Sequence, residues 1–123
     1  MSGISGVVVG HANLAAALLA AVEQIAGPEH GLTAISNTDC DRGTLEARIL
    51  DAVAGHPAII FIDMASGSCM FAAMRRLEEM PGVRLITGVN LAMLLEFVFR
   101  RDGAVDEVAT AVTDAGSRAV GLR

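Results

Sequence analysis

Gly6-Val7-Val8-Val9-Gly10-His11-Ala12-Asn13-Leu14 decides how this chain folds. Three consecutive β-branched residues, apolar on both faces of an extended backbone, predict a strand buried on both sides. That is the habit of parallel strands covered by helices. The strand, Ile4 to Val9, runs into a Gly-His turn, with Asn13 placed to cap a helix. Leu14, Leu18, Ala21, Val22 and Ile25 then recur at helical spacing, and Gly27-Pro28 stops the helix.

The order of strand then helix continues along the chain. Gly31 to Ser36 is a second, weaker strand, followed by the polar loop Asn37-Thr38-Asp39-Cys40-Asp41. Leu45, Ile49, Leu50 and Val53 give a helix from Thr44 to Ala54. Ala58-Ile59-Ile60-Phe61-Ile62 is a third strand, ending at Asp63 and the small-residue turn Met64-Ala65-Ser66-Gly67-Ser68. A helix from Cys69 to Glu79 is expected to turn Phe71, Met74 and Leu77 inward. Val83 to Thr87 is a fourth strand, and Asn90 caps the apolar helix Leu91 to Phe99. Val105 to Ala115 is a last amphipathic helix, and Ser117 to Leu122 reads as a short closing strand. Alternation of this kind predicts an α/β fold in three layers: a mainly parallel central sheet, right-handed crossovers, and helices on both faces. No linker divides the chain, so residues 1–123 read as a single domain.

Composition narrows the function. With 53% hydrophobic residues in 123, the chain has material for a full core, but four Phe and no Trp or Tyr leave Ala, Val, Leu, Ile and Met to build it. The net charge is −5, and all nine basic residues are Arg. An acidic chain without a basic stripe argues against nucleic acid as a partner. The start, Met1-Ser2-Gly3-Ile4-Ser5, has neither a basic region nor an apolar run, so no secretory signal is read there. Leu14 to Ala21 is too short to span a bilayer. Cys40 and Cys69 lack metal-type spacing, and a cytoplasmic location is expected.

In a parallel sheet, ligands sit outside the carboxyl ends of the strands. The polar residues there are His11 after strand one, Asp63 after strand three, Ser66 and Ser68 in the next turn, and Thr87 to Asn90 after strand four. Neutral imidazole is a nucleophile, and a carboxylate on its second nitrogen fixes the tautomer. The Gly67-Ser68 helix start offers free backbone N–H groups suited to phosphate. Each residue also has a plain structural reading: His11 as a hydrogen bonder, Asp63 and Asn90 as caps, Ser66 and Ser68 as turn formers. Pattern alone leaves these alternatives open.

Three segments, VVVGHANLAAALLAAVEQIAG, IIFIDMASGSCMFAAMRRL and VRLITGVNLAMLLE, taken together resemble the mannose-family enzyme IIA domains of the bacterial phosphoenolpyruvate:sugar phosphotransferase system. The resemblance spans nearly the whole chain, and ITGVNLAMLLE is its most specific part. It implies that His11 accepts a phosphoryl group from the phosphocarrier protein HPr and passes it to an enzyme IIB partner, in sugar uptake or its regulation. By the same resemblance, Asp63 hydrogen-bonds the imidazole, Ser68 contacts the phosphoryl group, and Ser66, Gly67 and Ser68 form the phosphate-binding turn. It also implies a homodimer with the C-terminal strand, Ser117 to Leu122, exchanged between subunits. Peripheral association with a membrane permease fits such a role. No cofactor and no metal are expected. The set His11, Asp63 and Cys69 has metal-ligating chemistry, but Cys69 reads better as a small core residue of its helix.

The turn departs from the family pattern at Ala65, Ser66 and Cys69, and Ala92 replaces a downstream proline. These changes alter the surface facing HPr or the IIB partner. The phosphocarrier subunit of dihydroxyacetone kinase is a related alternative, as is a binding module of this fold. A receiver-like domain phosphorylated on Asp63 is a third. That last reading needs an acidic pair after strand one and a lysine near the last strand; the chain has Gly10-His11 there and no lysine. His30 and His56 are expected in solvated loops at the opposite edge of the sheet.

Overall fold

The structure, a computed structural model, describes residues 3–123; Met1 and Ser2, where the segment read for a leader begins, lie outside the described residues. Strands β1 (Ser5–Gly10), β2 (Leu32–Ser36), β3 (Ala58–Ile62) and β4 (Val83–Thr87) form one sheet in the order β2-β1-β3-β4. Every pairing is parallel. The helices are α1 (Leu14–Ala26), α2 (Arg42–Val53), α3 (Ser68–Arg76), α4 (Leu91–Arg100) and α5 (Val105–Arg118), with a 3₁₀ turn at Leu77–Glu79. This is the expected three-layer α/β architecture. Among the described residues no helix is long and apolar enough to cross a membrane.

The two central strands are apolar at successive positions, and the sheet uses both of their faces. Val7 and Val9 of β1 and Ala58, Ile60 and Ile62 of β3 pack under α2 and α3, with Leu45, Ile49, Val53, Ala72 and Ala73. Val8, Ile59 and Phe61 point the other way, into Val22, Leu94, Phe97, Val108 and Val112 of α1, α4 and α5. All of Val7 to Val9 and Ala58 to Ile62 have no exposed surface. Each of the larger side chains contributes about 1.5–3 kcal/mol by its burial. Phe61 meets Phe97 edge-on with ring centroids 5.6 Å apart. Gly116 lets α5 approach α4, since a Cβ there would fall 2.5 Å from Met93.

Several side chains face otherwise than their spacing suggested. In α3 the buried residues are Cys69, Ala72 and Ala73, one face at i, i+3 and i+4. These small groups seat the helix close to the sheet and leave Phe71 and Met74 exposed at 60% and 49%. Phe71 lies instead beneath the Arg42 guanidinium, 5.9 Å from the ring centre. In α1 the buried residues are Ala15 and Val22, and Leu14 and Ile25 at its two ends are exposed. Asn13 occupies the N-cap position of α1 without a side-chain capping bond, whereas Asn90 caps α4 as expected, accepting from Met93 N–H at 3.0 Å.

Two expectations are corrected. His30 is buried, not solvated: Leu32 N–H donates to its Nδ1 at 3.0 Å. Nε2 therefore carries the proton and donates to Glu23 Oε2, also at 3.0 Å. His56 is exposed as anticipated. The closing strand Ser117 to Leu122 is not formed; Ser117 and Arg118 are the last turn of α5, and Ala119 to Arg123 follow without strand pairing. The Ala-rich α5 sequence simply continues its helical hydrogen bonding to Ala119, whose N–H donates to Ala115 O at 3.2 Å.

Candidate functional site

Strand order places the site. The chain turns outward from β1 to β2 on one side and reaches β3 and β4 on the other, so the crevice between the carboxyl ends of β1 and β3 is the topological switch point. Register completes the placement. Val9 pairs with Ile62, and the next residues to emerge are Gly10-His11 and Asp63. Two residues 52 positions apart thereby meet in space.

His11 Nδ1 lies 2.7 Å from Asp63 Oδ2, and the same oxygen accepts the His11 backbone N–H at 2.9 Å. A carboxylate can only accept, so Nδ1 carries a proton and Nε2 presents its lone pair. Among the described residues Nε2 has no hydrogen-bond partner. The His11 side chain is 43% exposed and that of Asp63 9%: an accessible ring held on a buried anchor. Ala12 follows in the left-handed region at φ 52°, an uncommon conformation for a residue with a Cβ. Asn37 Oδ1 accepts the Ala12 N–H at 3.3 Å and Ser36 Oγ donates to the Ala12 carbonyl at 2.6 Å, holding that turn in place.

Burial pushes the Asp63 carboxyl upward, but the two hydrogen bonds from His11, side chain and backbone, and the electrostatic attraction of that residue outweigh this. The group ends below its ordinary value and stays ionised. Its other oxygen, Oδ1, is buried without a hydrogen-bond partner among the described residues. Cys69 is fully buried at the start of α3, with Sγ 3.9 Å from His11 Nδ1. Burial and the neighbouring Asp63 charge push its thiol up to about 11, so it rests protonated. Nδ1 of His11, an oxygen of Asp63 and Sγ of Cys69 all lie within 4.8 Å of one another.

The turn after Asp63 folds over the ring. Gly67 has φ 97°, a conformation that side chains rarely adopt, and a Cβ there would lie 3.6 Å from His11 Cε1 and 3.7 Å from Nε2. Its neighbour Ser68 is the first residue of α3, whose leading N–H groups have no acceptor within the helix. Ser68 Oγ accepts from Asn37 Nδ2 at 3.2 Å, leaving its own hydroxyl proton to donate elsewhere. Asn37 thus ties the His11 turn to the Ser68 turn.

Of the residues expected from sequence, His11 and Asp63 are in direct contact, Gly67 lies beside the His11 ring, and Ser68 is tied to the His11 turn through Asn37. Ser66 is exposed in the same turn and makes no side-chain hydrogen bond among the described residues. Asn90 is taken up by capping α4 and by donating to the Gly116 carbonyl at 3.2 Å. Asn37 is missing from the sequence-derived set. The signal was there, since it stands at the carboxyl end of β2, one strand from His11. Asp63 does not cap α3; its bonds go to His11.

The EIIA-man family model, described as the PTS system fructose IIA component, matches residues 5–113. No curated relative matches the chain by sequence. Among solved structures, it is similar to the mannose/sorbose-specific IIA subunit of the phosphotransferase system from Enterococcus faecalis. The two share 23% identity at a TM-score of 0.87, covering 100% of this chain and 96% of that one. It is also similar to the phosphotransferase system component EIIA from Streptococcus agalactiae, with 20% identity and a TM-score of 0.90 over 97% of this chain and 96% of the other. A third likeness is to a sigma-54 interaction domain protein from Enterococcus faecalis, with 15% identity and a TM-score of 0.74 over 96% and 93% of the two chains.

Proposed function

We propose that this chain, which belongs to the phosphotransferase-system IIA family described by the fructose IIA component model, is a phosphohistidine carrier. Residues 1–123 act as one carrier unit, taking a phosphoryl group from HPr on His11 and passing it to an enzyme IIB partner, in sugar uptake or its regulation. One observation carries this reading: Nδ1 is held at 2.7 Å by a buried carboxylate while Nε2 is left open.

The chemistry follows from that pair. The Nε2 lone pair attacks phosphorus in line, the Nε2–P bond forms, and the bond to the donor's nitrogen breaks, its electron pair returning to the donor. The proton on Nδ1 stays where it is, and the ring becomes positively charged. Asp63 stabilises that charge and keeps the ring from rotating. Such a transfer depends on positioning and charge compensation more than on covalent machinery. Ser68 donates its hydroxyl proton to a phosphoryl oxygen, the N–H groups at the start of α3 meet the others, and Gly67 keeps the space beside Nε2 clear. Ser66, exposed in the same turn, adds a hydroxyl at the rim. The return step reverses the geometry, with the IIB nucleophile approaching from the solvent side.

Incubation with phosphorylated HPr tests the reading. The expected product is phosphate on His11 that is acid-labile and base-stable, with His11→Ala unlabelled. No transfer to the wild-type chain, or equal labelling of His11→Ala, overturns it. Receiver-like phosphorylation of Asp63 is disfavoured by the burial of that carboxylate and by its commitment to His11. Base-labile phosphate would reinstate it.

The same family membership supports a homodimer. β4 lies at the edge of the sheet, and Val120 and Leu122 beyond α5 are 78% and 100% exposed. In this reading the segment after α5 becomes a strand only on reaching the β4 edge of a second copy.

A further inference from the structure

We propose that His11, Asp63 and Cys69 form a binding site for a zinc-like transition-metal ion, and that the bound ion switches the carrier off. His11 Nδ1, an Asp63 oxygen and Cys69 Sγ are mutually within 4.8 Å, the one such group of three among the described residues. Two further observations point to a cation. Asp63 Oδ1 is buried with no hydrogen-bond partner, although its carboxylate is ionised and its side chain is only 9% exposed. A buried charged oxygen without a partner is costly, and a cation is the partner such an oxygen takes. Cys69 Sγ lies 3.9 Å from the imidazole nitrogen, a thiol brought to the ring by the same helix start that brings Ser68.

Donor chemistry selects the metal class. One imidazole, one carboxylate and one thiol make a three-ligand set with an open fourth position, which suits zinc or cobalt. Magnesium and calcium, which take oxygen ligands, do not fit. Asp63 supplies a negative charge already in place, beside a His11 side chain that is 43% exposed to solvent.

Binding and phosphoryl acceptance compete through one proton. In the carrier state Nδ1 bears the proton and Nε2 the lone pair. A metal on Nδ1 needs that lone pair, so the ring proton moves to Nε2 through solvent, and the Cys69 thiol proton is released. The ring stays neutral overall, the cation is met by one thiolate and one carboxylate, and Nε2 is no longer a nucleophile. The site depends on Cys69, which stands where the family pattern, as read from sequence, has proline.

The existence of the metal site stands apart from the carrier reading; only its consequence rests on it. The test therefore has two arms. In the first, the purified chain is titrated with zinc by calorimetry and with cobalt by absorption. The expected result is one ion per chain, with a thiolate-to-cobalt charge-transfer band. Affinity should fall by more than about tenfold in Cys69→Ala and in His11→Ala, and be retained in Cys40→Ser. The wild-type cobalt band needs no variant, so misfolding of Cys69→Ala cannot obscure the answer. Absence of that band, or zinc affinity unchanged in Cys69→Ala, overturns the site. In the second arm, labelling by phosphorylated HPr is compared with and without zinc. Wild-type labelling should fall as the site fills, while that of Cys69→Ala, whatever its zinc-free level, should not respond. Undiminished wild-type labelling at saturating zinc overturns the switch. Zinc bound as expected with no labelling in its absence overturns the carrier reading and leaves the metal site standing.

Discussion

Replacing Asp63 by Asn keeps the shape of the side chain and removes its charge. Asp63 Oδ2 receives two hydrogen bonds from His11, at 2.7 and 2.9 Å, and an amide oxygen can accept both. The tautomer with Nε2 free is therefore preserved, and what is lost is stabilisation of the positive ring that would form as Nε2 takes the phosphoryl group in the proposed carrier reaction. Two unit charges about 3 Å apart interact by about 5 kcal/mol at an effective dielectric of about 20. The ring is 43% exposed, so screening reduces this to about 2–3 kcal/mol. At 1.36 kcal/mol per decade, transfer should slow about 30- to 150-fold. Rapid-quench labelling by phosphorylated HPr measures the rate, with circular dichroism to verify that the variant is folded. A rate within about twofold of wild type would mean that Asp63 merely orients the ring, and the charge argument would be wrong.

Four other outcomes follow from the same geometry. Gly67→Ala puts a Cβ on a residue at φ 97°; it should cost about 1–2 kcal/mol, roughly 4–10 °C in Tm, and slow labelling. A thermal melt superimposable on wild type would refute the strain. Asn37→Ala removes two bonds that join the His11 and Ser68 turns, so labelling should slow by about 3- to 10-fold with little loss of stability; unchanged labelling would remove Asn37 from the site. The depressed Asp63 carboxyl contributes stability that is fully present above the ordinary carboxylate value and is lost as pH falls through it toward the folded value. Urea denaturation should accordingly show wild type and Asp63→Asn converging between neutrality and about pH 3, and a pH-independent gap would contradict the sign. Truncation after Ala115 should shift sedimentation from dimer to monomer; an unaltered profile would exclude exchange of the tail.

How much was legible depended on which physical signal each element carried. β1 and β3 were readable because burial on both faces forces an apolar residue at every position, and Val7 to Val9 and Ala58 to Ile62 comply. That His11 and Asp63 emerge side by side followed from strand ends, since parallel strands deliver their carboxyl ends to one edge; the bond between them was implied only by the family resemblance. The direction of α3 was not legible. Spacing ranks side chains by hydrophobicity, and Phe71 and Met74 outrank Cys69, Ala72 and Ala73; yet close helix–sheet packing favours the small face. His30 was misplaced because its partner Glu23 sits on the preceding helix, and a burial created by two elements leaves no mark in a loop. Asn37 was passed over because β2 is a weak strand and its polar end looked like any loop. The end of α5 shows a limit of another kind: short apolar tails carry no periodicity to separate a helical finish from a strand.

The His11–Asp63 pair has a consequence for the history of each molecule. Its two halves are 52 residues apart and touch only when β3 has docked beside β1. Until then His11 has no anchored tautomer, and a newly made or partly unfolded chain lacks the geometry on which the proposed carrier chemistry depends. Contacts of such sequence separation form slowly, because a long loop must close first. On the proposed carrier reading, phosphoryl flow would thus favour chains that have finished folding, and an incomplete copy would draw little phosphate from the relay.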